Sequence, residues 1–117
     1  MTALRIVLVV FFLSLGVYTA IVGEHHGWNL LSVFFADIVA MNWSGQFNSD
    51  FTGFLALSAL WLAWRHDFSP AGLALGVRGF FGGMMALTLY LFVASGRANG
   101  DAKVLLLGPR RAGGSAA

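Results

Sequence analysis

Cysteine is absent from the chain, so no disulfide, thiolate metal site or thiol nucleophile is available to it. Charge is nearly as scarce. Asp, Glu, Lys and Arg make up 10% of the residues, where a soluble domain carries about a quarter. With 58% apolar residues, too little polar side chain remains to clothe such a core in water. No glycine-rich loop suited to cradling a phosphate occurs outside the apolar blocks, and no Ser-His-acid arrangement can be placed on one side of a membrane. All three histidines lie outside those blocks, which disfavours a haem held between helices. No basic surface is interleaved with stacking aromatics, so nucleic acid is a poor partner.

What is present arrives in long apolar blocks. The first runs from about Ile6 to Val22, with Ser14, Tyr18 and Thr19 as its polar side chains. A helix crossing a bilayer needs roughly 17–25 such residues, and inside lipid the backbone must bond to itself, which forces a helix despite the valines. A cleaved signal sequence competes with this reading because Arg5 precedes the block. The run exceeds a usual signal core of about 7–15 residues, however, and no clean small-x-small site follows. The second block, Phe51–Trp64, has Asn48 or Ser49 to cap its start and ends in Trp61, Trp64, Arg65, His66 and Asp67. Indole rings followed by charge mark a membrane interface. The third opens at Ser69-Pro70, a serine cap followed by proline at the first helical position, and runs to about Ser95. The Arg65–Ser69 connection is so short that blocks two and three must form an antiparallel hairpin.

Between blocks one and two, Trp28–Trp43 is apolar apart from Asn29, Ser32, Asp37 and Asn42, and Asn29, Ser32 and Asp37 share one helical side with Ala36 and Ala40. About fifteen residues rise only ~22 Å, short of a ~30 Å hydrocarbon layer. An interfacial or re-entrant helix is expected here, with a fourth short span as the alternative. The fold class expected is therefore all-α: an integral membrane protein with three transmembrane helices plus that short helix. The spans fall at about 5–23, 49–65 and 70–95, the short helix at about 28–42, and together they form a membrane domain over 1–96. A flexible basic tail follows over 97–117. Three spans place residue 1 and the tail on opposite sides, and the positive-inside rule then favours a cytoplasmic tail. Four spans would put both inside.

Charges and glycines supply the candidate sites. Asp37 and Arg78 stand inside apolar sequence, where a charge costs at least ~2.5–3.5 kcal/mol and so usually has a partner; an Asp37–Arg78 pair is one expectation. The polar run Asn42–Asp50 offers Asn42, Gln46, Asn48 and Asp50 either for a polar ligand or for loop and cap bonds. Gly72 and Gly76, then Gly79 and Gly83, stand four apart, the spacing at which helix backbones approach closely. Gly79-Phe80-Phe81-Gly82-Gly83 lies within a block, so its glycines are read as packing. Adjacent His25 and His26 diverge on a helix and do not make a metal site, and no cofactor is expected.

Gly27-Trp28-Asn29-Leu30-Leu31, Phe34-Phe35-Ala36-Asp37, Gln46-Phe47-Asn48-Ser49-Asp50-Phe51, Trp64-Arg65-His66 and Gly82-Gly83 before Leu89-Tyr90-Leu91 together give the chain a likeness over roughly residues 5–95. In these motifs it resembles small bacterial three-span membrane proteins grouped as a domain of unknown function. The resemblance implies a multi-pass protein of the bacterial inner membrane and implies no activity; the extended basic tail departs from the family's shorter ending. The function expected is a non-enzymatic accessory or structural subunit, lying in the lipid bilayer and packing with itself as a homo-oligomer or with a larger membrane complex. The alternative is a small-molecule or lipid binder or carrier with its polar site at Asp37, Asn42, Gln46, Asn48, Asp50 and Arg78.

Overall fold

A computed structural model describes residues 1–113. Among them all regular structure is helical: α1 Thr2–His26, α2 Leu30–Val39, α3 Trp43–Arg65, α4 Pro70–Arg97, α5 Ala102–Leu107 and α6 Pro109–Ala112. By length and composition alone two segments, Thr2–His26 and Pro70–Ala98, are long and apolar enough to cross a membrane, but the second is broken at Gly83.

Helix α1 continues through its apolar block and stops at Gly27, whose φ of 82° breaks the helix. Trp28 then folds back over the last turn. A Cβ on buried Gly23 would lie 2.3 Å from the Trp28 indole, so only glycine leaves room for the ring. Asn29 caps α2, accepting from the Ser32 amide. With ten residues, α2 is about 15 Å long, too short for the fourth crossing weighed as an alternative.

Helix α3 begins earlier than its apolar block. Asn42, not Asn48 or Ser49, is its cap, accepting from the Gly45 amide at 2.8 Å. The polar run 42–50 is thus the cap and first turns of a helix rather than a loop. Two contacts hold it there. Gly45 sits against the Asp37 carbonyl so closely that a Cβ would meet it at 2.2 Å. The Asn48 amide donates to the Phe34 carbonyl. Both tie α2 across the start of α3.

Ser69 accepts from the Gly72 amide and Pro70 opens α4, as the sequence motif requires. Gly72 and Gly76 let α4 lie against α3: their Cβ positions come 2.7 Å from His66 Cβ and 3.0 Å from the Ala59 carbonyl. The small-residue face therefore seats α4 on its own neighbour.

The single third span anticipated from the sequence is not what forms. Gly83 has φ 60° and ψ −142°, a non-helical conformation in the middle of α4, essentially reserved for glycine. A straight α4 would carry Tyr90 about 27 Å along the axis beyond Gly72. Instead the Tyr90 hydroxyl lies 2.6 Å from His66 Nε2, back at the α3–α4 connection. The chain therefore reverses at Gly83, giving α4 two arms, 70–82 and 84–97, each about 20 Å long. Gly83 serves as a turn, not as packing surface.

The second arm runs antiparallel to α1. Met85 Cε lies near Gly16, and Arg5 donates to Ser95 Oγ at 2.7 Å and to the Phe92 carbonyl at 2.9 Å. Ala94, Ala98 and Leu105 form a buried cluster against which Met1, Leu4 and Tyr90 pack. One end of the molecule thus gathers residues 1–5, the 66–69 connection and α5–α6; α2 caps the other. The separation of residue 1 from the tail that three spans imply is replaced by their contact.

Residues 97–113, anticipated as a flexible tail, form two short docked helices; residues 114–117 lie outside the described part. Asp101 caps α5 through the Lys103 and Val104 amides.

Surface area shows what this arrangement leaves uncovered. The chain exposes 8068 Å², where a compact soluble protein of 12.5 kDa exposes about 6,200 Å². Along α1 only Leu8 and Gly23 are buried; Ile6, Val10, Leu13, Val17 and Ile21 all point outward.

Candidate functional site: an arginine-centred polar cluster

The polar groups that converge do so at the end holding the tail. Arg65, in the last turn of α3, donates from Nε to the Leu105 carbonyl at 2.8 Å, from Nη2 to the Val104 carbonyl at 3.2 Å and from Nη1 to Tyr90 Oη at 2.7 Å. Trp61 Nε1 donates to the Leu106 carbonyl at 3.0 Å. The last carbonyls of a helix lack partners within it and carry partial negative charge. A guanidinium and an indole answer both needs where Gly108 and Pro109 end the helix. Gly108, with φ 86°, then passes so close to the Arg65 carbonyl that a Cβ would sit 3.1 Å away.

Tyr90 is shared. Its oxygen accepts from Arg65 and lies 2.6 Å from His66 Nε2, where the histidine tautomer sets which group donates. Burial pushes the His66 pKa below its ordinary value, the Arg65 charge pushes it the same way, and Asp67 opposes both.

Asp67 holds the tail from below. Its Oδ1 lies 2.6 Å from Arg110 and 2.7 Å from Arg111. Arg111 also stacks 3.9 Å over the Trp64 ring and donates to the Trp64 carbonyl. These pairs are partly exposed, so each contributes about 1 kcal/mol or less.

Between α3, the second arm of α4 and the tail lies a cavity of about 300 Å³, lined by Arg65, His66, Tyr90 and Arg97 on its polar side and by Val93 and Ala98 among its apolar neighbours. Arg97 is exposed and has no hydrogen bond or ion pair among the described residues.

The residues singled out in the sequence sit elsewhere. Asn42 and Asn48 act as cap and α2–α3 clasp. Gln46, Asp50 and Arg78 are exposed and Asp37 is half-buried. Among the described residues Asp37 and Arg78 form no ion pair; the pairs that exist involve Asp67. Gly72, Gly76 and Gly79 are buried inside the α3–α4 contact. His25 and His26 lie 6.5 Å apart at the opposite end from His66.

Sequence reasoning passed over Arg65, Tyr90 and Arg97 as a group. Arg65 reads as an interface charge, and Tyr90 stands twenty-five residues away in an apolar block. The signal that could have joined them is Gly82-Gly83, a pair able to fold the intervening helix in two. Comparison with protein-family models, with curated proteins and with solved structures finds no match.

Proposed function

We propose that the chain is a non-enzymatic accessory subunit of a membrane, packing laterally with a second copy or with a larger complex. Two crossings, α1 and α3, would flank a hairpin re-entering from one side, in place of three complete spans. The carrying observation is α1, a 25-residue helix with only two buried residues and an almost wholly apolar exterior. In water such a surface has no cover; lipid or another apolar helix supplies it.

Helix lengths fit this reading. At ~1.5 Å per residue α1 rises about 37 Å, enough for a ~30 Å hydrocarbon layer. Helix α3 rises about 34 Å, of which the apolar block Phe51–Trp64 covers about 21 Å, so its crossing needs the polar first turns to stand at headgroup level. Each arm of α4 is about 20 Å long and carries no such polar extension into the far headgroups. Charge fits as well. Arg5, Arg65, Arg97, Lys103, Arg110 and Arg111 lie toward one end and Glu24, Asp37 and Asp50 toward the other, with Arg78 exposed partway along the first arm of α4. By the positive-inside rule the basic end is cytoplasmic. Placement in a bacterial inner membrane rests on the sequence resemblance alone.

Polar side chains along the helices favour a structural role over transport. Ser49, Thr52, Thr88 and Ser95 each donate to a carbonyl of their own helix, which satisfies them without a ligand. Two measurements test the proposal. Alkaline carbonate extraction should leave the protein in the membrane pellet; release into the supernatant refutes the membrane reading. Oxidative crosslinking of Val10→Cys and Val17→Cys variants in native membranes should give species larger than the monomer. Monomer alone at both positions refutes lateral packing.

A further inference from the structure

We propose that the cavity at the basic end binds the phosphate of an anionic phospholipid, with Arg65 and Arg97 as its cationic partners. The inference rests on the membrane reading given above.

Three observations support it. First, the charge there is uncompensated among the described residues. Arg65 makes one bond from each of its nitrogens, which leaves N–H groups over on both terminal nitrogens. Arg97 is unpaired among the described residues. The two nearby carboxylates are engaged elsewhere, Asp67 with Arg110 and Arg111 and Asp101 with the α5 amides. Arginine's planar fork suits phosphate oxygens.

Second, the cavity is two-faced. Arg65, Arg97, His66 and Tyr90 offer polar atoms, and Val93 and Ala98 form an apolar flank. A phospholipid brings a phosphodiester for the first and glycerol and acyl carbons for the second. Free phosphate would leave the apolar flank uncovered. A zwitterionic headgroup would bring an ammonium beside two guanidiniums.

Third, the depth is right. The cavity lies where α3 and the second arm of α4 end, beside Trp61 and Trp64, residue types that sit at headgroup level. Cationic pockets between helices on the cytoplasmic side are suited to anionic headgroups.

The test uses the full chain in an uncharged detergent, titrated with soluble dihexanoyl phosphatidylglycerol and followed by calorimetry. Dihexanoyl phosphatidylcholine and inorganic phosphate form parallel arms. Phosphatidylglycerol should bind saturably and about tenfold tighter than phosphatidylcholine, and Arg97→Gln should weaken it by about tenfold, as expected for losing one charged hydrogen-bonding partner. Arg78→Gln, which removes an exposed charge from the other arm of α4, should leave binding unchanged. Equal affinity for the two lipids, or an equal loss with Arg78→Gln and Arg97→Gln, overturns the site. Competition by inorganic phosphate at the lipid's own concentration overturns the lipid assignment in favour of a free-phosphate site. A protein that needs detergent to stay dissolved yet binds no phosphatidylglycerol refutes this inference alone; one that stays folded without detergent refutes the membrane reading beneath it.

Discussion

Replacing Gly83 with alanine isolates the turn on which the architecture depends. At φ 60° and ψ −142° an L-residue is forced into a region that costs roughly 1–3 kcal/mol. Space is not the difficulty. A Cβ at Gly83 would meet only Phe51 Cζ at 3.5 Å and Leu55 Cδ2 at 3.7 Å, ordinary van der Waals contacts. The whole penalty is therefore conformational, and Gly83→Ala should destabilise the detergent-solubilised protein by roughly 1–3 kcal/mol. Gly53 supplies the control. It lies inside α3 with nothing within 4 Å of its Cβ position, so Gly53→Ala should be neutral or stabilise by up to about 1 kcal/mol through helix propensity. Reversible unfolding followed by tryptophan fluorescence reads both variants in one detergent. Were Gly83→Ala as stable as Gly53→Ala, the left-handed turn would not exist, and α4 would have to be a continuous helix.

Further outcomes follow from the arginine cluster. Asp67→Asn keeps the shape and tolerates the residue's φ of 58° but loses both arginine partners; trypsin should then cleave at Arg110 and Arg111 several-fold faster, and an unchanged rate would count against the docked tail. Arg65→Lys cannot reach Leu105, Val104 and Tyr90 at once, so it should also loosen α5, seen as faster hydrogen exchange over 102–107. An exchange rate equal to the native protein's would contradict the capping role. Because the folded pKa of His66 lies below its ordinary value, the unfolded chain takes up a proton first as pH falls. Stability is full above the ordinary histidine value of about 6.5, declines below it and levels off once the folded ring protonates. A melting-temperature profile between pH 7.5 and 5.5 should show this decline, and His66→Gln should flatten it; a profile that the variant leaves unaltered would refute the lowered pKa.

Helix content could be read from the chain because apolar runs and caps are local features. Ser69-Pro70 fixed the start of α4 to the residue, and the run after Arg5 yields α1. The start of α3 was less readable, because Asn42, Asn48 and Gly45 look like loop residues until α2 is placed against them. The reversal at Gly83 was hidden in a different way. Glycines four apart signal close packing, and Gly72 and Gly76 do pack, yet the same stripe ends in a residue whose part is a positive φ. Once that turn is missed, Tyr90 is assigned to the wrong end of the molecule. The cluster of Arg65, His66 and Tyr90 then cannot be assembled from sequence. The tail went unread for a related reason: Asp101 caps α5 from within the segment, but the groups that dock it, Arg65 and Trp61, come from α3.

Because the chain has no cysteine, single cysteines at Thr2, Met41, Phe68 and Asn99 can be labelled with a membrane-impermeant maleimide in intact spheroplasts and in inverted vesicles. A chain folded back at Gly83 predicts that positions 2, 68 and 99 label from one face and position 41 from the other. Labelling of positions 68 and 99 from opposite faces would contradict it.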